Sequence, residues 1–391
     1  MGGGRKMKIG IDTRYLSHPQ DGGFKTYTQN IVHGLAELDH ENEYILYTDR
    51  PGVESHDNFR VKIVSGPAPV REQVLLPLAM ARDKVDIAHF PCNTGPFVPY
   101  CPMVLTIHDL IPLLQREKDR RMPRKMRMFN SYWRKVMPRA ARRASRIITI
   151  SEASKSDIQR MLNIPEEKIS VVPTGLNPDF HPITDSALLE RVRETHGLPE
   201  RFILGLVSSD PRKNCLGIVG AAGLASSELD RIGIVLICAS PEARAMAVDI
   251  ACRHQSHLPR MVLLDPVSRQ DLTAIYTLAD VLVFPSFYEG FGLPVIEAMA
   301  CGTPVVTSNV SSMPEVAGDA AVLVDPNDTE AISRGLLELL NDKKLREKMI
   351  RRGRERAAEF SWKRTANETV AVYESLISLP GAKTMAGGMT G

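Results

Sequence analysis

The 391-residue chain has no run of eighteen apolar residues, so nothing in it reads as a helix spanning a bilayer. The start, Met1-Gly-Gly-Gly-Arg-Lys, lacks the apolar core of a secretory leader, and Lys6 stands where a myristoylation signal would call for Ser or Thr. Neither export nor lipid attachment is expected. Six cysteines include no C-x-x-C pair, which argues against zinc and fits thiols buried in a reducing cytoplasm. There is no D-x-D string to offer a divalent metal two carboxylates, and no G-x-G-x-x-G after a strand to hold a dinucleotide. The expectation is a site with no metal and no resident cofactor.

What remains is a globular composition, 43% apolar and 24% charged, on a chain long enough that two cores are favoured over one. The net charge of +3 is unevenly spread. Between Arg116 and Arg146 thirteen Lys or Arg face only Glu117 and Asp119, so the rest of the chain is net acidic.

Short runs rich in Val and Ile recur along both halves, each followed by a helix-like stretch, the rhythm of a parallel sheet covered on both faces. In the first half they read 8–12, 44–47, 61–64, 86–90, 104–107, 146–150 and 169–172. In the second they read 202–207, 233–238, 261–264, 281–284, 304–307 and 321–324. Between them Pro173 to Pro182 is dense in turn formers, which places the hinge near its end. The predicted class is α/β, two doubly wound parallel sheets facing across a cleft, with domains 1–182 and 183–362. A last helix, 363–380, carries Ala366, Val370, Tyr373 and Ile377 on one stripe and is expected to pack back on the first domain. The tail 381–391 is expected to be disordered.

The most informative stretch, Phe284 to Val306, reads as strand, glycine loop, helix, strand. Gly290 and Gly292 free the backbone to approach a ligand, and Pro294 suits the first helical position. The loop therefore brings unpaired N–H groups and the positive end of a helix dipole to one point, which suits an anion. Glu289 lies in the loop, and Glu297 is expected in the first helical turn. Two carboxylates beside a phosphate repel it unless they turn toward hydroxyls, as in sugar recognition. An ordinary helix start with dipole-favoured acids would also carry glutamates here.

A second cluster, Ser208-Ser-Asp-Pro-Arg-Lys-Asn214, follows the first strand of the second half, at the carboxyl edge where open parallel sheets bind ligands. Arg212 and Lys213 there could stabilise a departing diphosphate, although such a pair can also be a solvated turn. In the first half, Gly22 and Gly23 open a helix after the strand ending at Asp12, another turn aimed at an anion. His108 and Asp109 sit at the carboxyl end of a buried strand. The basic stretch also carries Met126, Met128, Phe129, Tyr132, Trp133 and Met137, a mixture suited to an anionic membrane surface. Nucleic-acid binding and a solvated face with buried aromatics are the rival readings of that stretch.

At Phe-Tyr-Glu289-Gly-Phe-Gly-Leu-Pro-Val-Ile-Glu297 the sequence resembles the retaining GT-B glycosyltransferases of family 4, with Thr106 to Pro112, Pro211-Arg-Lys-Asn214 and Val171 to Gly175 in support. The likeness extends over essentially the whole chain and is strongest to bacterial mannosyltransferases of O-antigen and exopolysaccharide assembly. It implies two Rossmann-like domains, an acceptor side first and a nucleotide-sugar side second. It also implies that Glu289 contacts the transferred hexose, Glu297 the ribose, and the backbone of Gly290, Phe291, Gly292, Leu293 and Pro294 the sugar and diphosphate. By the same resemblance Ser208, Arg212 and Lys213 attend the diphosphate, Gly22 and Gly23 reach the donor phosphate, and His108 meets the hexose. The base would lie near Leu264 and Val267. The implied reaction is front-face displacement from GDP-mannose to a polyprenyl-linked or other glycan acceptor, at the cytoplasmic face of the inner membrane, with UDP-glucose or UDP-N-acetylglucosamine as other donors. A nucleotide-sugar epimerase is the alternative on this architecture. Asn177 and Asp265 depart from the family pattern, where Asp and Gly are usual, and Asp265 leaves the base open.

Overall fold

A computed structural model describes residues 6–17, 22–53, 58–114, 124–226, 232–253 and 260–377. The chain divides into two units, one of Met1–Gly175 with the segment from Trp362 onward, the other Leu176–Ser361.

The first unit is built on seven parallel strands: β1 (Lys8–Asp12), β2 (Glu43–Thr48), β3 (Phe59–Ile63), β4 (Ile87–Phe90), β5 (Met103–Ile107), β6 (Arg146–Thr149) and β7 (Ile169–Val171). Their order is β3-β2-β1-β4-β5-β6-β7. The central strands are apolar on both faces, as parallel sheets with helices on each side require; all five residues of β5 are buried. Helix Trp362–Ile377 lies against helix Gly23–Leu38, where Gly34 leaves room for Ala366 and the Trp362 carbonyl. Its buried line runs through Ala366, Thr369, Val372, Tyr373 and Leu376. Val370 and Ile377, expected on that stripe, fall at its edge and are only partly covered, because the contact line is rotated toward Val372 and Leu376. Tyr373 pins the helix from below: its hydroxyl is 2.7 Å from His89 Nδ1, and His89 Nε2 is 2.8 Å from Thr106 Oγ1. Burial drives His89 down to about 3, so this buried ring is neutral.

The second unit holds β8 (Arg201–Val207), β9 (Ile232–Cys238), β10 (Met261–Leu264), β11 (Val281–Phe284), β12 (Val305–Ser308) and β13 (Val322–Val324), all parallel, in the order β10-β9-β8-β11-β12-β13. Its division falls at Leu176, before the position 182 read from turn residues. Phe180 is buried with its ring edge on Tyr276, Arg269 reaches Asp179 at 3.1 Å, and Leu176 donates to the Phe360 carbonyl, so this stretch is tied to the second sheet. Cys92, Cys215, Cys238 and Cys301 are buried, but Cys252 is exposed on helix Pro241–Arg253, at variance with the expectation that the thiols are buried. The tail 381–391 lies outside the described residues.

Candidate functional site

In the second sheet β8 and β11 are neighbours, yet the chain leaves β8 toward β9 on one side and β11 toward β12 on the other. Their carboxyl ends form the switch point at which open α/β sheets bind ligands. The segments that follow, 208–214 and 285–292, are the two singled out in the sequence. They are stitched together by Asn214, whose backbone is left-handed (φ 51°) and whose Nδ2 donates to the carbonyls of Pro285 at 3.1 Å and Pro326 at 2.7 Å. The Phe287 N–H adds a bond to the Arg212 carbonyl at 2.8 Å.

The glycine loop is held from the side. Ser311 Oγ and Ser312 Oγ donate to the Glu289 carbonyl at 2.7 and 3.0 Å, and Ser312 Oγ also reaches the Phe291 carbonyl at 2.7 Å. Phe291 is buried with its ring edge-on to Phe360. Gly292 caps helix Leu293–Cys301 at φ 108°, where a side chain would be strained and would run into Met313. No side chain caps this helix, and Pro294 lies in its first turn, so its positive end is left for another partner.

Charge converges at the same place. Lys213 Nζ is 2.7 Å from Glu289 Oε1, paired by charge though not aligned for a hydrogen bond, and lies 4.6 Å from the centre of the Phe284 ring. Arg212 spends Nε and Nη2 on Asp210 Oδ2 at 2.9 and 2.7 Å and Nη1 on the Tyr288 carbonyl at 3.1 Å. Each cation thus already has a carboxylate, and Arg212 ties two loops together. Ser208 Oγ accepts from the Asp210 N–H at 3.2 Å and supports the same turn.

Glu297 was expected in the first helical turn. With Gly292 as the cap the helix starts at Leu293, one residue before Pro294, so Glu297 falls in the second turn. Tyr276 donates to its Oε2 at 3.1 Å. Burial, which strips water from the charged form, raises its carboxyl to about 7 against the opposing pull of Tyr276, Arg269 and Lys213, although part of the residue keeps contact with the surface. Leu264, at the end of the edge strand β10, is buried, while Val267 is partly exposed. Asp265 is exposed and 3.3 Å from Arg244.

In the first unit His108 follows β5 and is buried beside Tyr27 and Phe24. Its N–H bonds to Asn93 Oδ1 at 2.7 Å, and its Nε2 donates to the Pro91 carbonyl at 2.8 Å, which leaves Nδ1 as the unprotonated nitrogen. Burial lowers this imidazole to about 4. Asp109 turns its carboxylate to the Ile111 N–H at 2.9 Å. Gly22 caps helix Gly23–Leu38 without a side-chain bond, and a Cβ at either Gly22 or Gly23 would meet open space.

Residues 255–356 match the family model of glycosyl transferases group 1, and residues 21–180 match that of Glycosyltransferase Family 4. Together the two matches cover about two thirds of the chain and identify it as a glycosyltransferase with a family 4 region followed by a group 1 region. The chain is 35% identical over 248 residues to O-antigen chain mannosyltransferase B of Escherichia coli, spanning 63% of this chain and 64% of that protein. To the MMP alpha-(1->4)-mannosyltransferase of Mycolicibacterium hassiacum it is 31% identical over 297 residues, 71% of this chain and 66% of that one. Either alignment therefore spans less than two thirds of the relative's own length. Sucrose-phosphate synthase from Thermosynechococcus elongatus superposes with a TM-score of 0.72 over 95% of this chain and 99% of its own at 20% identity, a likeness of fold that identifies it as GT-B.

Several contacts of this glycosyltransferase escaped sequence reasoning. Asn214, Ser311, Ser312 and Tyr276 all act through partners 21 or more positions away. The basic stretch is also corrected. Trp133 and Met137 on helix Arg124–Arg143 are buried in the core, and Tyr132 donates to Glu72 at 2.8 Å, so these side chains face inward rather than toward a membrane. Arg127, Lys135 and Arg139 are exposed, as is Met128. Residues 115–123 and the side chains of Arg124, Lys125, Met126 and Phe129 lie outside the described residues. Among the described residues no helix is long and apolar enough to cross a membrane.

Proposed function

We propose that the chain is a retaining mannosyltransferase that moves mannose from GDP-mannose to a lipid-linked oligosaccharide or other glycan in cell-surface polysaccharide synthesis. The observation that carries this reading is the meeting of Lys213, Glu289 and the uncapped start of helix Leu293–Cys301 at the β8/β11 switch point. Departing diphosphate would gather negative charge where a lysine, helix amides and Arg212 can stabilise it. In this scheme Lys213 passes from Glu289 to the phosphate, and Glu289 is released to the hexose hydroxyls. Glu297 takes the ribose, and the main chain from Gly290 to Pro294 lines the sugar and diphosphate. His108, neutral at physiological pH, serves as a polar contact to the hexose and not as a proton donor. Gly22 and Gly23 attend the phosphate, and Leu264 and Val267 the base. Two relatives named mannosyltransferases support the choice of sugar.

Incubation with radiolabelled GDP-mannose, UDP-glucose or UDP-N-acetylglucosamine, each with and without a mannosyl glycoside acceptor, tests the reading. Transfer from GDP-mannose alone is expected. Exclusive use of a UDP sugar would replace the donor, and consumption without any acceptor would point to an epimerase.

The acceptor's lipid would be met at the cytoplasmic face of the inner membrane. Support comes from the exposed row Arg127, Lys135 and Arg139 on a helix that carries no acidic residue, and from exposed Val70, Val74 and Leu78 one helical turn apart from each other. Charge reversal at Arg127, Lys135 and Arg139 is expected to weaken sedimentation with anionic vesicles, as is added salt. Binding that ignores both changes would remove the membrane from the scheme.

A further inference from the structure

The first sheet has its own switch point, between β1 and β4, and four charges, three of them buried, meet there. Asp12 ends β1; its Oδ1 accepts from Arg71 Nη1 at 2.9 Å and its Oδ2 from Arg14 Nε at 2.6 Å. Glu72 Oε2 takes Arg14 Nη2 at 2.6 Å and the Thr94 hydroxyl at 2.6 Å, while its Oε1 takes Tyr132 at 2.8 Å and Gln73 Nε2 at 3.0 Å. Arg71 completes its fork on the carbonyls of Val64 and Tyr47 at 2.7 and 2.9 Å. A single π-helical turn, Arg71–Leu75, brings the successive residues Arg71 and Glu72 inward together. Such turns are rare and gather at functional sites.

Three of the four side chains are 0–2% exposed, and Arg14 is 16% exposed. Arg14 also differs in its bonding: among the described residues nothing accepts from its Nη1, while Nε and Nη2 are fixed by two carboxylates. A buried network of this kind is a poor stabiliser, since apolar residues of similar volume often do as well or better. What it supplies here is orientation. It holds one planar guanidinium rigid, with one nitrogen left to donate at a ligand-binding edge of the sheet.

Two guanidiniums balance two carboxylates, so the cluster exerts no net attraction on an anion. We propose that Arg14 Nη1 is a specificity-determining donor to an oxygen of an uncharged acceptor sugar, with Asp12, Glu72 and Arg71 as its positioning residues. This rests on the glycosyl-transfer reading and adds to it the chemistry of the acceptor, a neutral hydroxylated ring in preference to a phosphorylated one.

The test uses the full chain with radiolabelled nucleotide sugar and two probes, octyl α-mannoside and its 6-phosphate. Arg14→Lys keeps the charge between the two acids but loses the planar fork. Its KM for octyl α-mannoside is expected to rise about tenfold, equivalent to about 1.4 kcal/mol, with donor KM and acceptor-free donor hydrolysis within about twofold of the parent. The parent's preference for the uncharged probe should shrink in the variant. Thr94→Val, which removes one tether of Glu72 and leaves Arg14 in place, should move acceptor KM in the same direction by less, and it carries the test if Arg14→Lys does not fold. Unchanged acceptor KM in the folded variants, or donor and acceptor constants rising together, would overturn the proposal. If the parent transfers nothing from any nucleotide sugar, the fault lies instead with the reading of the enzyme's function.

Discussion

The two units carry the same kind of switch point and furnish it in opposite ways. At β8/β11 the charged pairs are partly open: the Lys213 and Glu289 side chains are 24% and 13% exposed, and both come from short segments at the strand ends. At β1/β4 the charges are interlocked and nearly sealed, drawn from the end of a strand, a loop and a π-helical turn. A half-open pair can trade its partner for a phosphate at little cost, whereas a sealed quartet cannot be opened without stranding a charge. The second unit thus offers exchangeable charge, and the first offers fixed geometry.

The largest expected effect tests the exchangeable side. Lys213→Ala should lower turnover by about 10²–10³-fold, the range for removing one donor to a developing anion, while the melting temperature barely moves. Glu289→Ala should cost at least about tenfold in the same assay. A large loss of stability in Lys213→Ala, with turnover kept in the folded fraction, would make that site structural and erase the contrast. Next comes the sealed side. Glu72→Gln weakens the partner of Arg14 and should destabilise the protein by about 3 kcal/mol in denaturant unfolding, whereas Asp210→Asn, at a partly open pair, should cost less than about 1 kcal/mol. Equal costs would show that burial does not separate the two clusters.

The smallest effect concerns Glu297. Its carboxyl is raised from an ordinary 4.5 to about 7, so between those pH values the folded protein holds a proton that the unfolded chain has released, and stability falls as pH rises. Glu297→Gln removes that penalty. The gain should be on the order of 1 kcal/mol at about pH 8, after allowance for the part of the residue that still touches solvent, and absent near pH 4. Superimposable melting curves of parent and variant at pH 8 would show that this carboxyl ionises as it does in water.

Much of this was legible where the signal is local. All thirteen apolar runs became strands; the central ones, such as β5 and β11, are buried throughout and carry the continuous apolar runs a parallel sheet needs, whereas the edge strand β3 buries only Phe59. The loop from Glu289 to Pro294 was legible for a similar reason, its glycines, acids and helix start lying side by side in sequence. Asn214 joins carbonyls 71 and 112 residues away, and Arg71 reaches an acid 59 residues away; such pairings exist only once the sheets have formed. Helix Arg124–Arg143 is a different case. Trp133, Val136, Met137, Ala140 and Ala141 already follow the spacing of a core-facing stripe, and the density of arginines drew attention from it. The placement of Glu297 shifted because the glycine cap at Gly292 starts the helix one residue earlier, at Leu293, a step that the composition around it does not reveal.

The central claim is that the β8/β11 edge holds the diphosphate of a nucleotide sugar. A crystal structure with GDP bound tests it most directly: a phosphate oxygen should lie within about 3 Å of Lys213 Nζ and against the first amides of helix Leu293–Cys301, with Glu289 no longer paired to that lysine. A diphosphate seated elsewhere, with the Lys213 to Glu289 pair intact, would contradict it.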